Sequence, residues 1–144
     1  MMVVDSSAII AILFDEPEGS ACTKALEGGA TRLISAVNYV ETGTVLAGRL
    51  KDKRKRAINI LDEFLATLRI DIAPVDDQMA RAAMKARIDY GQGFGTRGGL
   101  NFGDCFAYAL AKQHSVPLLY IGDDFGLTDI RSALEAPGPK KPKR

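Results

Sequence analysis

The 144-residue chain is 47% hydrophobic and 26% charged, which is the balance of a globular domain rather than of a disordered segment. No apolar run approaches the ~20 residues of a membrane span, and the N-terminus lacks the basic region of a signal peptide. We therefore expect a cytoplasmic protein with no membrane partner. The two cysteines, Cys22 and Cys105, are expected to be buried, reduced thiols.

The net charge of +1 conceals a basic C-terminus. Residues 137–144, PGPKKPKR, carry four basic side chains and no acid, which leaves 15 basic and 18 acidic side chains in residues 1–136. We predict one domain over residues 1–136 and a disordered basic tail over 137–144, because three prolines rule out a helix there. The tail could contact nucleic acid, or it could be a solubilising or extraneous end.

The first half of the chain predicts strands that alternate with helices. A short apolar run is typical of a buried strand, and Ser6 or Ser7 offers an N-cap for the helix that follows it. Ser35 likewise offers a cap between the second strand and its helix. In chain order, the predicted elements are strand Met2–Val4, helix Ala8–Phe14, helix Glu18–Leu26, strand Thr31–Ile34, helix Ala36–Leu50 and helix Ala57–Leu68.

The densest basic run of the domain is Arg49–Arg56, RLKDKRKR, which joins two predicted antiparallel helices. Two interpretations compete for it. It is either the solvated tip of a helical hairpin or a patch that faces phosphates.

The second half continues the alternation. Pro74 marks a strand end or a sheet edge. Asp76 and Asp77 cap the next helix, whose buried side includes Ile88. The glycines of residues 91–99 form either a mobile loop or a plain linker, and they lack a P-loop pattern. The predicted elements are strand Ile70–Val75, helix Gln78–Tyr90, helix Asn101–Lys112, strand Val116–Ile121 and the closing segments Gly126–Ile130 and Arg131–Leu134. The sequence thus predicts a three-layer α/β/α domain with a central, mainly parallel sheet.

Four acids stand at strand ends or near helix starts, each in a different strand–helix unit: Asp5, Glu41, Asp104 and Asp123. If they converge, their like charges must be relieved by protons or by a cation. An all-oxygen set favours Mg²⁺ or Mn²⁺ over zinc. His114, the only histidine, is expected to be structural, which argues against histidine-based nucleophiles and leaves metal-assisted hydrolysis.

Four segments carry a resemblance to a known family: VVDSSAIIAIL, SAVNYVETGTVL, LNFGDCFAYALAK and LLYIGDDFGLTDI. In this order they resemble the motif regions of PIN domains and, more narrowly, of VapC-type toxins of VapBC toxin–antitoxin systems. The resemblance implies a Mg²⁺- or Mn²⁺-dependent endoribonuclease that cuts RNA, with transfer or ribosomal RNA as plausible substrates. It also implies a cognate VapB-type antitoxin and a homodimer.

The resemblance also assigns residues. Asp5 and Asp104 would hold a first ion, and Glu41 would contact it directly or through water. The fourth acid is assigned to Asp123, which would help a second ion or orient the attacking water; the adjacent Asp124 and the more distant Asp129 are alternatives. Ser7 matches a small hydroxyl position that would support the acids by hydrogen bonding.

Other functions remain open on the residues alone. A haloacid dehalogenase would want a second acid two residues after Asp5, where Ser7 stands. A receiver domain would want paired acids after the first strand, where the second position is Ser6, and a flap endonuclease usually needs a longer chain and more acids. The main alternative is a catalytically inactive PIN-like module that binds RNA or a partner. For the antitoxin we expect a groove near the helical hairpin, lined by the apolar residues Ala47, Leu50, Ile58 and Leu61.

Overall fold

A computed structural model of the protein describes residues 1–94 and 99–134. The predicted tail and part of the glycine-rich loop lie outside these described residues. Four short strands form one sheet in the order β3-β2-β1-β4, and every neighbouring pair is parallel. The strands are β1 (Met2–Val4), β2 (Arg32–Ser35), β3 (Ile70–Ala73) and β4 (Leu118–Leu119).

Helices follow or precede each strand, as the alternating pattern predicts. They are α1 (Ser6–Leu13), α2 (Gly19–Ala25), α3 (Ala36–Leu50), α4 (Ala57–Thr67), α5 (Asp77–Tyr90) and α6 (Phe102–His114). A 3₁₀ helix, Lys51–Arg56, joins α3 to α4. None of the helices in the described part of the chain is long and apolar enough to cross a membrane.

Two hydrophobic clusters lie on opposite faces of the sheet, because successive strand residues point to opposite sides. Val3 and Leu118 pack with α5 and α6, whereas Val4 and Leu119 pack with α1 to α4. The sheet is therefore sandwiched between two helical layers, which confirms the predicted α/β/α architecture. Cys22 lies in one cluster and Cys105 in the other, and both are buried free thiols, as expected.

Some local expectations were wrong. The α1 helix begins at Ser6 and is capped by Asp5, not by Ser6 or Ser7, because the Asp5 carboxylate accepts a hydrogen bond from the Ser7 backbone N–H. Strand β4 is only two residues long. Ile88 is 52% exposed, because it lies off the face of α5 that Met79, Ala83 and Ala86 form. Pro74 has both predicted roles: it follows β3, which is also an edge strand.

The sheet order determines where a ligand can enter. Strand β1 is paired with β2 on one side and with β4 on the other, so the chain leaves β1 towards one half of the sheet and later returns to the other half. In open α/β sheets a crevice forms outside the carboxyl ends of the strands at such a point. Asp5 follows β1 directly and therefore lies at this crevice.

Candidate metal centre

Asp5 is held at the end of β1 by contacts to both neighbouring elements. Its backbone N–H donates to the Leu119 carbonyl (2.9 Å), and its Oδ2 atom accepts from the Ser7 N–H (3.1 Å) and hydroxyl (2.7 Å). The Ser7 hydroxyl also accepts from the Ile121 N–H (3.0 Å). The side chain is buried, and among the described residues Oδ1 has no hydrogen-bond partner. One carboxylate oxygen is thus fixed, and the other is available to a ligand.

Glu41 reaches the same place from α3. Its Oε1 atom accepts from the Ser6 hydroxyl (2.6 Å) and from Asn38 Nδ2 (3.2 Å), and Asn38 Nδ2 also donates to the Gly103 carbonyl (3.0 Å). The carboxylate lies so close to Gly103 that a Cβ atom there would be 2.2 Å from Oε2. Helices α1, α3 and α6 therefore meet at Glu41.

Asp104 stands in the first turn of α6 and closes a capping box with Asn101. The Asn101 N–H donates to Asp104 Oδ2 (3.0 Å), and the Asp104 N–H donates to Asn101 Oδ1 (2.9 Å). Such reciprocal bonds satisfy two backbone donors that would otherwise lack partners at a helix start. The carboxylate is 5% exposed and is held rigidly at the positive end of the helix dipole.

These three acids line one cavity of about 350 Å³, which we call the acid cavity. The convergence expected of Asp5, Glu41 and Asp104 is therefore observed. None of the described residues that line it is basic. They are Asp5, Ser6, Ser7, Ile10, Glu16, Glu41, Val45, Asn101, Asp104, Ile121, Asp124 and Phe125.

The fourth predicted acid, Asp123, does not line the acid cavity. Asp124 lines the acid cavity, whereas Asp123 is an exposed neighbour whose backbone carbonyl accepts from the Gly126 N–H (3.1 Å). Asp129 lies elsewhere, where it accepts from the Tyr108 hydroxyl and from Lys112 Nζ (2.9 Å). Geometry therefore favours Asp124 over both alternatives for the fourth position, and it moves the assignment by one residue from Asp123.

Sequence reasoning missed three supporting residues: Ser6, Asn38 and Gly103. Ser7 was singled out and does bind Asp5, but Ser6 is the residue that binds Glu41. Asn38 is fully buried, and its position three residues before Glu41 on α3 places both polar side chains on one helical face. A polar pair at this spacing, on the face of α3 that also carries Val45 and Leu46, was the signal that could have identified it.

Burial and like charge raise the pKa of two of these acids. Desolvation raises the pKa of Asp5 to about 6, against the hydrogen bonds from Ser7, and the Glu41 carboxylate adds to the rise. The pKa of Asp104 rises to about 7, first through burial and then through the charges of Asp5, Asp124 and Glu41. A cation between the two carboxylates would stabilise their charged forms and lower both pKa values.

The donor set fits Mg²⁺ or Mn²⁺, because it consists of carboxylate oxygens with a free Asp5 Oδ1 among them. No three His, Cys, Asp or Glu side chains among residues 1–94 and 99–134 already form a closed ion cage. Mg²⁺ does not require one, since it usually keeps several waters and takes one or two carboxylates from the protein. The acid cavity has room for such a hydrated ion.

Comparison with known proteins gives a consistent result. Residues 2–130 match the PIN domain family, so the chain belongs to that family. Ribonuclease VapC28 of Mycobacterium tuberculosis is 44% identical over 134 residues, which cover 93% of this chain and 98% of that protein. Ribonuclease VapC of Mycolicibacterium smegmatis is 41% identical over 129 residues, covering 90% and 97%. The predicted resemblance to VapC-type proteins is confirmed.

Solved structures show the same fold at low sequence identity. The M. tuberculosis toxin VapC20, described as cleaving the sarcin–ricin loop, has a TM-score of 0.71 at 15% identity and covers 90% of this chain and 96% of its own. FitAcB from Neisseria gonorrhoeae has a TM-score of 0.65 at 24% identity, covering 92% and 96%. These likenesses confirm the PIN-like fold.

Proposed function

We propose that this protein is the ribonuclease toxin of a toxin–antitoxin pair and that it hydrolyses phosphodiester bonds in RNA with the help of Mg²⁺ or Mn²⁺. The observation that carries the proposal is the acid cavity, which is lined by five carboxylates, four of them those of Asp5, Glu41, Asp104 and Asp124, with no basic side chain among the described lining residues. Close relatives over nearly the whole chain are VapC ribonucleases, which supports the same reaction class.

An acidic cavity by itself repels a phosphodiester. A divalent ion held there by Asp5 and Asp104 would reverse the local sign, supply an activated water for attack on phosphorus and offset charge on the phosphate. The free Oδ1 of Asp5 and the Asp104 carboxylate are the proposed ligands. Glu41 would contact the ion directly or through water, because Ser6 and Asn38 hold its Oε1 atom.

Asp124 takes the role that the sequence assigned to Asp123, which is to orient the attacking water or to help a second ion. Ser7 supports Asp5, because its hydroxyl donates to Oδ2 and leaves Oδ1 free to bind. Asp5, Glu41 and Asp104 each have one carboxylate oxygen held by a hydrogen bond, so these three groups need little reorganisation when the ion and the substrate arrive.

The proposed partner is a VapB-type antitoxin, supported by VapC-named relatives and by a solved toxin–antitoxin complex from Klebsiella pneumoniae with the same fold. Of the residues expected to line a groove near the hairpin, Leu61 is 1% exposed and belongs to the core, whereas Ile58 is 63% exposed. Co-expression with the protein encoded next to this one and co-purification test the partnership. We also propose that the protein forms a homodimer, which sedimentation of the purified protein tests.

Two assays on one preparation test the activity. Calorimetric titration with Mn²⁺ measures ion uptake, and cleavage of transfer and ribosomal RNA is followed with Mg²⁺, with Mn²⁺ and with EDTA. We expect uptake of one or two ions and cleavage that EDTA abolishes. RNA binding without ion uptake or products would overturn the proposal and favour the non-cleaving binding module. Sequencing of the cleaved ends would identify the RNA.

A further inference from the structure

The 3₁₀ helix Lys51–Arg56, which we call the hairpin tip, carries a concentrated positive charge that the acid cavity does not use. Five of its six side chains are basic, only Asp52 is acidic, and all six residues are exposed. Within the part of the chain that the structure describes, none of the five forms an ion pair. The tip is therefore a free cationic surface rather than a network that stabilises the fold.

The charge of the remaining domain makes this surface unusual. Outside residues 49–56, residues 1–136 contain nine basic and 17 acidic side chains, a balance of −8. A body of that charge repels a polyanion at the distances over which electrostatic steering acts. The hairpin tip, together with Arg49, supplies six of the 15 basic side chains of the domain within eight residues.

Helix α3 connects the tip to the acid cavity. Glu41, Val45 and Arg49 are four residues apart, so they lie on one face of the helix. Glu41 and Val45 line the acid cavity, and Arg49 Nη2 lies 3.6 Å from Oε2 of Glu16, another lining residue. At 1.5 Å per residue, Arg49 lies about 12 Å along α3 from Glu41. A stacked single strand that rises ~3.4 Å per nucleotide spans this distance with three to four nucleotides.

Arg49 is held in place at this junction. Its guanidinium lies 4.1 Å from the centroid of the Phe14 ring, and its side chain is still 48% exposed. A cation fixed by an aromatic face and one carboxylate keeps donors free for a phosphate. Along this face of α3, the surface charge therefore changes from negative at Glu41 to positive at Arg49 and the hairpin tip.

We propose that Arg49 and the hairpin tip bind backbone phosphates of a single-stranded RNA segment that flanks the scissile bond, and so hold the substrate at the acid cavity. This inference rests on the proposed ribonuclease function and names the surface that overcomes the repulsion of the acidic body. Contacts of this kind position the RNA without reading its sequence. Affinity then depends steeply on salt, because each neutralised phosphate releases counterions.

The test compares two variants with the same change in net charge. The tip variant is Lys53→Gln/Arg54→Gln/Lys55→Gln, and the control is Lys24→Gln/Arg69→Gln/Arg81→Gln, three exposed cations elsewhere on the domain. Both are made in the Asp104→Asn background, which leaves RNA intact. Binding of a labelled 20-nucleotide single strand is followed by fluorescence anisotropy from 0.05 to 0.5 M KCl.

The tip variant is expected to bind on the order of 10–100-fold more weakly at 0.1 M salt, and the slope of log affinity against log salt should fall by about 2, or ~0.7 for each lost phosphate contact. The control should keep the slope of the parent. Equal slopes for tip and control variants would overturn the inference, as would loss of antitoxin binding with unchanged RNA binding. Because binding is read without cleavage, failure of the proposed activity is detected separately, in the wild-type assay.

Discussion

Two carboxylates with different surroundings lie along helix α6: Asp104 in its first turn, and Asp129, which contacts Tyr108 and Lys112 further along the helix. At its start, Asp104 faces Asp5, Glu41 and Asp124, and burial with like charge raises its pKa to about 7. Further along, Tyr108 and Lys112 bind Asp129, and the pKa of that carboxyl is lowered by these hydrogen bonds and by the Lys112 charge. The protein supplies a counter-charge to Asp129 through Lys112, whereas at the start of α6 we propose that a cation from solution supplies it.

The difference between Asp104 and Asp129 distinguishes a candidate reaction site from a structural ion pair. A carboxylate that is already paired, such as Asp129, gains little from an added ion. Carboxylates left close together and desolvated are destabilising in the charged state, and proteins retain such groups where a function needs them. A cavity of about 560 Å³ between α5 and α6 is bordered by Asp129 and Lys112 and lies away from the acid cavity.

The largest expected effect comes from Asp104→Asn. The asparagine can still accept the Asn101 N–H, so the helix cap is kept while the charge is lost. The loss of several kcal/mol of ion-dependent stabilisation should lower the RNA cleavage rate by about 10³-fold. The matched change at the other end of α6, Asp129→Asn, should keep the rate within about threefold, because an exposed ion pair is worth at most ~1 kcal/mol. Equal losses in both variants would contradict the distinction.

The second prediction concerns pH. Because the folded-state pKa values of Asp5 and Asp104 lie above the usual 3.8, their contribution to stability is full below about pH 4 and is lost as the pH rises to about 7. In EDTA we expect the unfolding free energy to fall by on the order of 2–3 kcal/mol between pH 5 and pH 8, and Mg²⁺ to restore it at pH 8 but not at pH 5.

Denaturant titrations at both pH values measure this effect. The control is Asp5→Asn, which retains an N-cap at this position but cannot titrate, and which should show a flatter pH dependence and a smaller response to Mg²⁺. If the unfolding free energy in EDTA instead rose by the same amount from pH 5 to pH 8 in the wild type and in Asp5→Asn, the desolvated carboxylates would not be the cause of the pH dependence.

A smaller effect is expected from Gly103→Ala, which leaves every carboxylate in place chemically. The added Cβ would be 2.2 Å from Glu41 Oε2, so the Glu41 carboxylate must move. A displacement of about 1 Å at a catalytic group can cost up to ~10²-fold, and we expect a 10–100-fold loss of cleavage. Gly48→Ala on α3 meets open space and should only stabilise the helix, by roughly 0.5–1 kcal/mol. Full activity of Gly103→Ala would show that the position of Glu41 is not critical.

The smallest effect distinguishes the two adjacent acids after β4. Asp124→Asn should lower cleavage about tenfold, the size of a modest loss in general-base or water-orienting assistance. Asp123→Asn, which changes an exposed side chain outside the lining of the acid cavity, should have little effect. The reverse order of the two rates would return the fourth position to Asp123.

The alternation of strands and helices could be predicted from the sequence, because it rests on local patterns. The apolar run Met2–Val4, the Ser35 cap and the helix over Ala36–Leu50 are readable from residues close together in the chain, and the structure has all three. The grouping of Asp5, Glu41 and Asp104 was also predictable, because strand ends and helix starts of a parallel sheet meet at one edge.

Only the tertiary structure decided which residue of two adjacent pairs, Ser6 and Ser7 or Asp123 and Asp124, takes a given position at the acid cavity. Ser6 binds Glu41 across 35 positions of sequence, and no local pattern ranks it above or below Ser7. Asp124 and not Asp123 lines the acid cavity because the chain turns after β4 through Gly122 at φ +95°. Adjacent residues have the same local chemistry but opposite directions, so composition and spacing determined the kind of site, and only the folded backbone determined the side chains that form it.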